Sequence, residues 1–247
     1  MSRWKAAGIH LSISICTALV ALGLMFGVWY PPPFFHADGA GKLELLLVGV
    51  DLTLGPLLTL IIFKSRKKGL KFDLVVIATV QAIALVYGMS VVLRTRPVFL
   101  VAAVDRFVLV SASDLSAGDL ASGSKPEFRS RSWTGPRLVA ALLPTDSAKR
   151  SQILTSSLAG KDIERLPKYY VDYATNVEAL LVHAKPLDKL HPQDAATRSA
   201  VDKWLARHHR SRSDTVWLPM TAHFSDLTAL LDKKTGSWLG AIAVDPW

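Results

Sequence analysis

Residues 6–30 read AAGIHLSISICTALVALGLMFGVWY, an apolar run of 25 residues with no lysine, arginine, aspartate or glutamate. An α-helix rises 1.5 Å per residue, so about 20 apolar residues cross the roughly 30 Å hydrocarbon core of a bilayer. Two further apolar runs, at 43–63 and 72–93, satisfy the same length requirement. The sequence therefore predicts three transmembrane helices before Pro97.

The first run resembles a signal peptide in that two basic residues precede it. Its apolar stretch is too long for one, however, and it ends in Pro31-Pro32-Pro33 without a small-x-small cleavage site. We therefore interpret it as an uncleaved anchor, with Trp29 and Tyr30 in an interfacial aromatic belt. The prolines end the helix because they lack an N–H donor. We expect Phe34 and Phe35 at the outer lipid surface.

Basic residues between the runs indicate the orientation of the chain. Five lysines and arginines lie within 64–71, whereas Lys42 is alone between the first two runs. The positive-inside rule then places the N-terminus and the 64–71 loop in the cytoplasm. Three crossings put the C-terminal part on the opposite side, which for a bacterial inner membrane is the periplasm. Arg94 and Arg96 weaken this contrast without reversing it.

The formal charge of +9 is concentrated in the apolar part of the chain. Residues 1–96 carry a net charge of +6, and residues 97–247 carry +3. This distribution favours membrane topology and contact with lipid over nucleic-acid binding, so we expect no nucleic-acid partner. The sequence predicts a membrane part at 1–96 and a soluble domain at 97–247. The single cysteine, Cys16, excludes an intramolecular disulfide.

The second apolar run carries an acidic residue at membrane depth, within Gly49-Val50-Asp51-Leu52-Thr53. A charge at the bilayer centre costs at least about 2.5 kcal/mol, so Asp51 should face protein rather than lipid. Gln81 lies within about one helical turn of that depth on the third run. We expect protonated Asp51 to hydrogen-bond to Gln81. This pair fixes helix packing, contacts a partner's transmembrane helix, or belongs to a proton or ion pathway.

Gly55-Pro56 follows in the same run. Proline frees a helical carbonyl and kinks a membrane helix, while glycine admits the close approach of a neighbouring helix. We expect Thr53 to satisfy the freed carbonyl. The pair forms either a structural kink or a groove that recruits another helix. His10 and Asp73, near the cytoplasmic ends of their runs, have no special role in this interpretation.

The part after Pro97 has the pattern of an α+β domain with a small antiparallel sheet built from its first and last segments. Pairing of these two ends would close the domain just outside the membrane. The strands predicted are 98–104 and 107–111, as a hairpin or one bent strand, and 215–220, 227–231 and 238–244. The helices predicted are 146–158, 175–183 and 194–209. A polar turn at 232–236 places Gly236 where a left-handed residue is needed.

The sequence contains no catalytic motif that would indicate an enzyme, and we predict no catalytic residue, cofactor or metal. His208 and His209 are adjacent on a helix and diverge by about 100°, so they cannot share a metal ion. With Trp204, Arg207 and Arg210, His208 is instead a candidate for an external contact. This basic surface is either solvated or binds an acidic partner.

Several stretches are similar to the type IV pilin accessory protein family. The similarity is dense over about 1–115 and at the C-terminal hairpin. The residues that carry it are Trp4-Lys5-Ala6, Val28-Trp29-Tyr30-Pro31, Gly49-Val50-Asp51-Leu52-Thr53-Leu54-Gly55-Pro56, Leu70-Lys71-Phe72-Asp73-Leu74, Val104-Asp105-Arg106-Phe107 and Asp245-Pro246-Trp247.

The resemblance implies an inner-membrane accessory protein of type IV pilus biogenesis. Such a protein binds or handles a cognate major pilin and modulates pilus assembly or extension and retraction. Membrane lipid and other inner-membrane proteins of pilus assembly are the further partners. In this interpretation Asp51 and Gly55-Pro56 contact the pilin helix, and the C-terminal sheet or the basic helix at 204–212 contacts its head. The alternative is a membrane-anchored periplasmic sensor or ligand-binding protein that acts through a separate partner.

Overall fold

The computed structural model describes residues 2–37, 40–64, 68–158, 160–191 and 193–247; the side chains of residues 36, 40–48, 50 and 51 also lie outside the description. The N-terminal part is helical. Helix α1 (Arg3–Leu24) continues into a π-helical turn at Met25–Trp29. The short helix α2 (Phe34–Ala37) precedes α3 (Ala40–Ile62) and α4 (Leu70–Thr95). Helices α1 and α4 both pack against α3.

Within the described residues, two helices are long and apolar enough to cross a membrane, Arg3–Trp29 and Leu70–Thr95. In α3, the described apolar stretch is Leu52–Ile62. Large apolar side chains on all three helices are exposed, among them Leu19, Val20, Ile61, Val80, Ile83 and Val86. Contiguous exposed apolar surface of this kind is typical of contact with a membrane or another protein. The helices thus indicate membrane association.

The rest of the described chain forms a mixed sheet with flanking helices. Its strands are β1 (Pro97–Ala103), β2 (Arg106–Ser111), β3 (Arg137–Ala141), β4 (Tyr170–Asp172), β5 (Lys185–Pro186), β6 (Thr215–Thr221), β7 (Leu227–Asp232) and β8 (Trp238–Ile242). Its helices are α5 (Ala117–Ala121), α6 (Ser147–Leu158), α7 (Val177–His183) and α8 (Ala195–His208). The strand order is β4-β3-β1-β2-β6-β7-β8, and β5 pairs with β6.

The prediction of a small antiparallel sheet is wrong in size and in strand direction. Strands β1 and β2 form the expected antiparallel hairpin, and the two ends of the domain do meet, at β2 and β6. That pairing is parallel, with Phe107 opposite Met220, and β1 also pairs in parallel with β3. Parallel pairing needs a long crossover connection. The segments between β1 and β3 and between β2 and β6 are long enough to provide one.

The sheet is strongly curved and has one concave face. The Trp238 ring of β8 lies 5.0 Å from the Phe107 ring of β2, although β6 and β7 separate the two strands. Leu100, Leu218 and Leu180 pack in the core on this face. The opposite face is covered by the segment 112–170 in one half of the sheet and by α8 in the other.

The segment after the three prolines packs against this sheet, contrary to our expectation. Phe34 and Phe35 were expected at the outer lipid surface, but they are only 6% and 4% exposed. Phe34 packs into the concave core, while Phe35 packs with Tyr30 at the end of the first helix. The Ala37 carbonyl accepts hydrogen bonds from Phe224 N (2.9 Å) and Ser225 N (3.2 Å). The chain turns back at the prolines and adds to the core of the sheet.

The three helices predicted in the C-terminal part are confirmed as α6, α7 and α8. Asp194 caps the N-terminus of α8, where its carboxylate accepts from Ala196 N and Thr197 N. His209, which has a left-handed backbone, caps the C-terminus of the helix. Gly236 also has a positive φ of 63°, as predicted for the turn between β7 and β8.

Candidate functional site

A polar cluster joins the three long helices. The Nδ1 atom of His10 on α1 lies 2.6 Å from Thr59 Oγ1 on α3, and its Nε2 atom lies 2.8 Å from Gln81 Oε1 on α4. An amide oxygen can only accept, so Nε2 donates to Gln81, and the threonine hydroxyl is the hydrogen-bond partner of Nδ1. Thr59 is only 2% exposed. One imidazole therefore fixes the position of α1 relative to both other helices.

Gly55 provides the space for Gln81. A Cβ atom at residue 55 would lie 2.1 Å from the amide nitrogen of Gln81 and 2.8 Å from its Cδ. The predicted close approach of helices at Gly55 is thus present, and the side chain of Gln81 occupies it. Because glycine lacks a side chain, α3 and α4 can bring the glutamine to His10.

Pro56 lies inside α3 and leaves the carbonyl of Leu52 without its helical donor. We expected Thr53 to satisfy this carbonyl, and that expectation is wrong. Its hydroxyl donates instead to the Gly49 carbonyl at 2.6 Å, one turn earlier. The side chain of Asp51 lies outside the described residues, and so does the predicted bond between Asp51 and Gln81.

His10 and Thr59 are the two members of this cluster that sequence reasoning missed. A signal was available, because a histidine in one apolar run and an amide in another are both costly in lipid unless they are paired. His10 and Gln81 are 71 residues apart in the sequence, so no local pattern identifies them as hydrogen-bond partners.

A second candidate site lies in the sheet domain, in a groove of about 560 Å³ that we call the proline groove. Three of the four predicted external contact residues line it, namely Trp204, Arg207 and His208 of α8. Its other walls are Pro31–Phe34, Leu100, Thr134–Pro136, Leu138 and Trp238–Ala241. The groove therefore combines residues from both ends of the chain.

The aromatic wall of the proline groove is held in place by several contacts. The Trp204 and His208 rings stack with centroids 4.1 Å apart, and His208 Nδ1 lies 2.8 Å from the Trp204 carbonyl. Gly240 on β8 has a φ of 151°, and a Cβ there would lie 3.3 Å from the Trp204 ring. Glycine at 240 thus lets the tryptophan lie over the edge strand.

The fourth predicted residue, Arg210, lies outside the groove. Its guanidinium donates to Asp232 Oδ2 at 3.2 Å, at the end of β7. Backbone N–H donors of Thr235 and Lys234 and the charge of Arg210 lower the pKa of Asp232. Arg210 therefore has a structural partner, whereas Arg207 is exposed and forms no ion pair with any residue that the structure describes.

The described lining of the proline groove is positively charged. Its described lining contains Arg207 and His208 and no carboxylate. Tryptophan, proline and leucine form the rest of the walls, and such walls favour apolar or aromatic side chains. The arrangement suits a polypeptide segment that presents an apolar group next to an acidic one.

The structure defines a class of protein in which membrane-length apolar helices pack directly under a mixed-sheet domain. The model of the family described as "Fimbrial assembly protein FimB" matches residues 1–39. Two fimbrial assembly proteins of Dichelobacter nodosus, from serogroup I and serogroup E1, are each 31% identical over 234 residues. These alignments cover 93% of this chain and 91% of each relative.

A third fimbrial assembly protein of Dichelobacter nodosus, from serogroups C1 and C2, is 36% identical over 118 residues. The alignment covers 47% of this chain and 90% of that relative. No solved structure matches the chain significantly. The chain belongs to the family of fimbrial assembly proteins. This confirms the resemblance to a type IV pilus assembly family and gives the protein a role in fimbrial biogenesis.

Proposed function

We propose that this protein binds a cognate type IV major pilin in the bacterial inner membrane and modulates pilus assembly or extension and retraction. The observation that carries the proposal is the position of the proline groove. Its lining includes Pro31, two residues after the helical turn at Met25–Trp29. It also includes Leu100, the fourth residue of β1, which follows α4. The groove therefore lies beside the junction of the helices with the sheet.

A three-helix bundle with a cytoplasmic N-terminus would place this groove at the periplasmic surface of the membrane. A type IV pilin waiting in the membrane has one apolar helix in the bilayer and its head outside. Such a partner can contact the exposed apolar faces of the helices and the proline groove at the same time. The exposed guanidinium of Arg207 would pair with a carboxylate on the pilin.

The polar cluster of His10, Thr59 and Gln81 supports the interpretation that polar residues within the helices fix helix packing. His10 bonds to both Thr59 and Gln81, and these two hydrogen bonds connect the three long helices. The outer apolar faces then remain for lipid or for a partner helix. Because helix association in membranes rests on packing and weak polar contacts, a pilin held there could leave again to join the fibre.

The test is recovery of the cognate pilin with the tagged full-length protein from solubilised membranes. Arg207→Glu places a negative charge beside the expected carboxylate, and we expect at least a fivefold loss of recovered pilin. Lys203→Glu makes the same charge change on an exposed residue of α8 outside the groove, and it should leave recovery unchanged.

A second variant examines the membrane contact. Asp51→Leu should reduce pilin recovery while leaving expression intact, if Asp51 offers a polar contact to the pilin helix. Unchanged recovery and piliation in both Arg207→Glu and Asp51→Leu would contradict the proposal. Binding of a small molecule by those same preparations would then favour the sensor. We also retain the prediction that the protein is not an enzyme.

A further inference from the structure

A basic cavity of about 640 Å³ lies at the C-terminal end of α4, and we call it the arginine pocket. Four arginines line it, Arg94, Arg96, Arg129 and Arg131, together with Leu93, Trp133 and residues of the 112–120 segment. No carboxylate belongs to its described lining. It is distinct from the proline groove, with which it shares no lining residue.

The arginine pocket is a built structure rather than a chance group of surface side chains. Arg96 is only 5% exposed; its Nε atom donates to the Ser132 carbonyl at 3.2 Å, and its guanidinium lies 4.8 Å from the centre of the Trp133 ring. Arg131 donates to the carbonyls of Ala112 and Leu115. A guanidinium has five N–H donors, so these bonds leave further donors in both side chains.

The charges of the pocket are not balanced from within. Burial and then the neighbouring charge of Arg131 lower the pKa of Arg96, which means that the cation is destabilised where it stands. Arg129 donates through Nε to the Gly123 carbonyl at 2.8 Å and forms no ion pair with a described residue. Arg94 is exposed at the last turn of α4. An anion bound among these groups would relieve the repulsion.

The position of the pocket indicates which anion it takes. It adjoins the end of a membrane-length helix, and the indole of Trp133 beside it is 64% exposed. Exposed tryptophans at such a position are typical of the lipid headgroup layer. Arginine forms two parallel hydrogen bonds with a phosphate group.

We propose that the arginine pocket binds the phosphodiester headgroup of an anionic phospholipid, such as phosphatidylglycerol, on the side of the membrane where the sheet lies. This inference depends on insertion of α4 in the membrane, and it goes beyond pilin binding. It also gives a reason for Arg94 and Arg96, the two basic residues that oppose the charge bias of the predicted topology. Their charge serves a lipid site at the outer surface.

The experiment uses the full-length protein in phosphatidylcholine nanodiscs that contain increasing fractions of phosphatidylglycerol. Native mass spectrometry counts the phosphatidylglycerol retained per protein. Arg94→Gln and Arg129→Gln are the test variants, because both side chains are exposed. A basic residue near an anionic membrane surface strengthens binding to that surface about fivefold. We therefore expect each variant to lose about fivefold in affinity for phosphatidylglycerol. The double variant should lose about 25-fold.

The matched control is Lys149→Gln with Lys203→Gln, which removes two positive charges from exposed positions on α6 and α8. It should retain phosphatidylglycerol as the unchanged protein does. Arg94→Lys with Arg129→Lys should restore part of the affinity. A melting temperature for each variant separates loss of binding from loss of folding.

Two results would overturn the inference. One is equal retention of phosphatidylglycerol by the double glutamine variant and the control. The other is displacement of the lipid by millimolar glycerol phosphate, which would identify a free phosphate compound as the ligand. Normal recovery of pilin by the double glutamine variant, with loss of lipid, would separate this site from the proline groove.

Discussion

His10 on α1 forms hydrogen bonds to both of the other long helices. Each of its ring nitrogens bonds to a different helix, and both bonds are shorter than 3 Å. The Gln81 oxygen can only accept, so Nε2 is the donor there, and the Thr59 hydroxyl is the partner of Nδ1. A leucine or a methionine would fill the space but would bind neither partner.

We predict that His10→Leu destabilises the helices by about 1–4 kcal/mol, because it removes two hydrogen bonds worth about 0.6–2 kcal/mol each in membranes. The measurement is the free energy of unfolding in detergent micelles as denaturing detergent is added. Ser12→Ala is the control, since the Ser12 hydroxyl donates within its own helix, to the Gly8 carbonyl. Equal stability of the two variants would show that the cluster contributes nothing.

At the scale of elements, Asp114 connects two parts of the sheet domain. Its carboxylate accepts from Ser111 N at 2.8 Å, at the end of β2, and from His223 Nε2 at 3.0 Å, in the loop before β7. Burial alone would raise the pKa of Asp114, but the hydrogen bonds from His223 and Ser111 outweigh it. The pKa is therefore held below the ordinary value of 3.8.

A pH dependence of stability follows from this depressed pKa. The carboxylate stabilises the folded chain above pH 3.8, where the unfolded chain also carries it ionised. That contribution is lost as the pH falls through the lower pKa of the folded state. Asp114→Asn should be less stable than the unchanged protein at pH 7, and the difference should shrink below pH 3.8. Chemical unfolding at several pH values measures it, and a constant difference would contradict the assignment.

Strand β3 illustrates what sequence patterns miss at this scale. Arg137–Ala141 is a run of five residues between a Gly-Pro pair and another proline, and we predicted no strand there. Its neighbours are β1 and β4, each about thirty or more residues away along the chain. Helices such as α8 were predicted because their apolar period and their caps are local. A short strand is stabilised by distant partners that no local pattern identifies.

At the scale of the whole molecule, the helices and the sheet form direct contacts with each other. The Tyr30 side chain is fully buried, and its hydroxyl donates to the Val92 carbonyl at 3.2 Å, which joins the ends of α1 and α4. Phe34 then continues into the core of the sheet. The boundary that we predicted at 96/97 therefore leaves out a segment, 31–37, that packs with the C-terminal part.

The predicted topology can be tested on the intact chain. A reporter that is active only in the cytosol, fused after Trp247, should give no signal, because the three predicted crossings would place this end outside. A periplasm-active reporter at the same position should give a strong signal. Fusions after Lys68 should show the reverse pattern. A strong cytosolic signal at Trp247 would contradict the orientation and the proposed contact with an exported pilin.

The amino-acid sequence by itself determined the apolar runs, the charge bias from which an orientation is predicted, the helices α6 to α8 and the family. These depend on local composition and period, which any stretch of chain carries with it. The tertiary structure alone decided that β1 pairs in parallel with β3 and that β2 pairs in parallel with β6. It also decided that Phe34 packs in the core of the sheet and that His10 forms a hydrogen bond with Gln81. Each of these brings together residues far apart along the chain, and such contacts are selected by packing of the whole molecule.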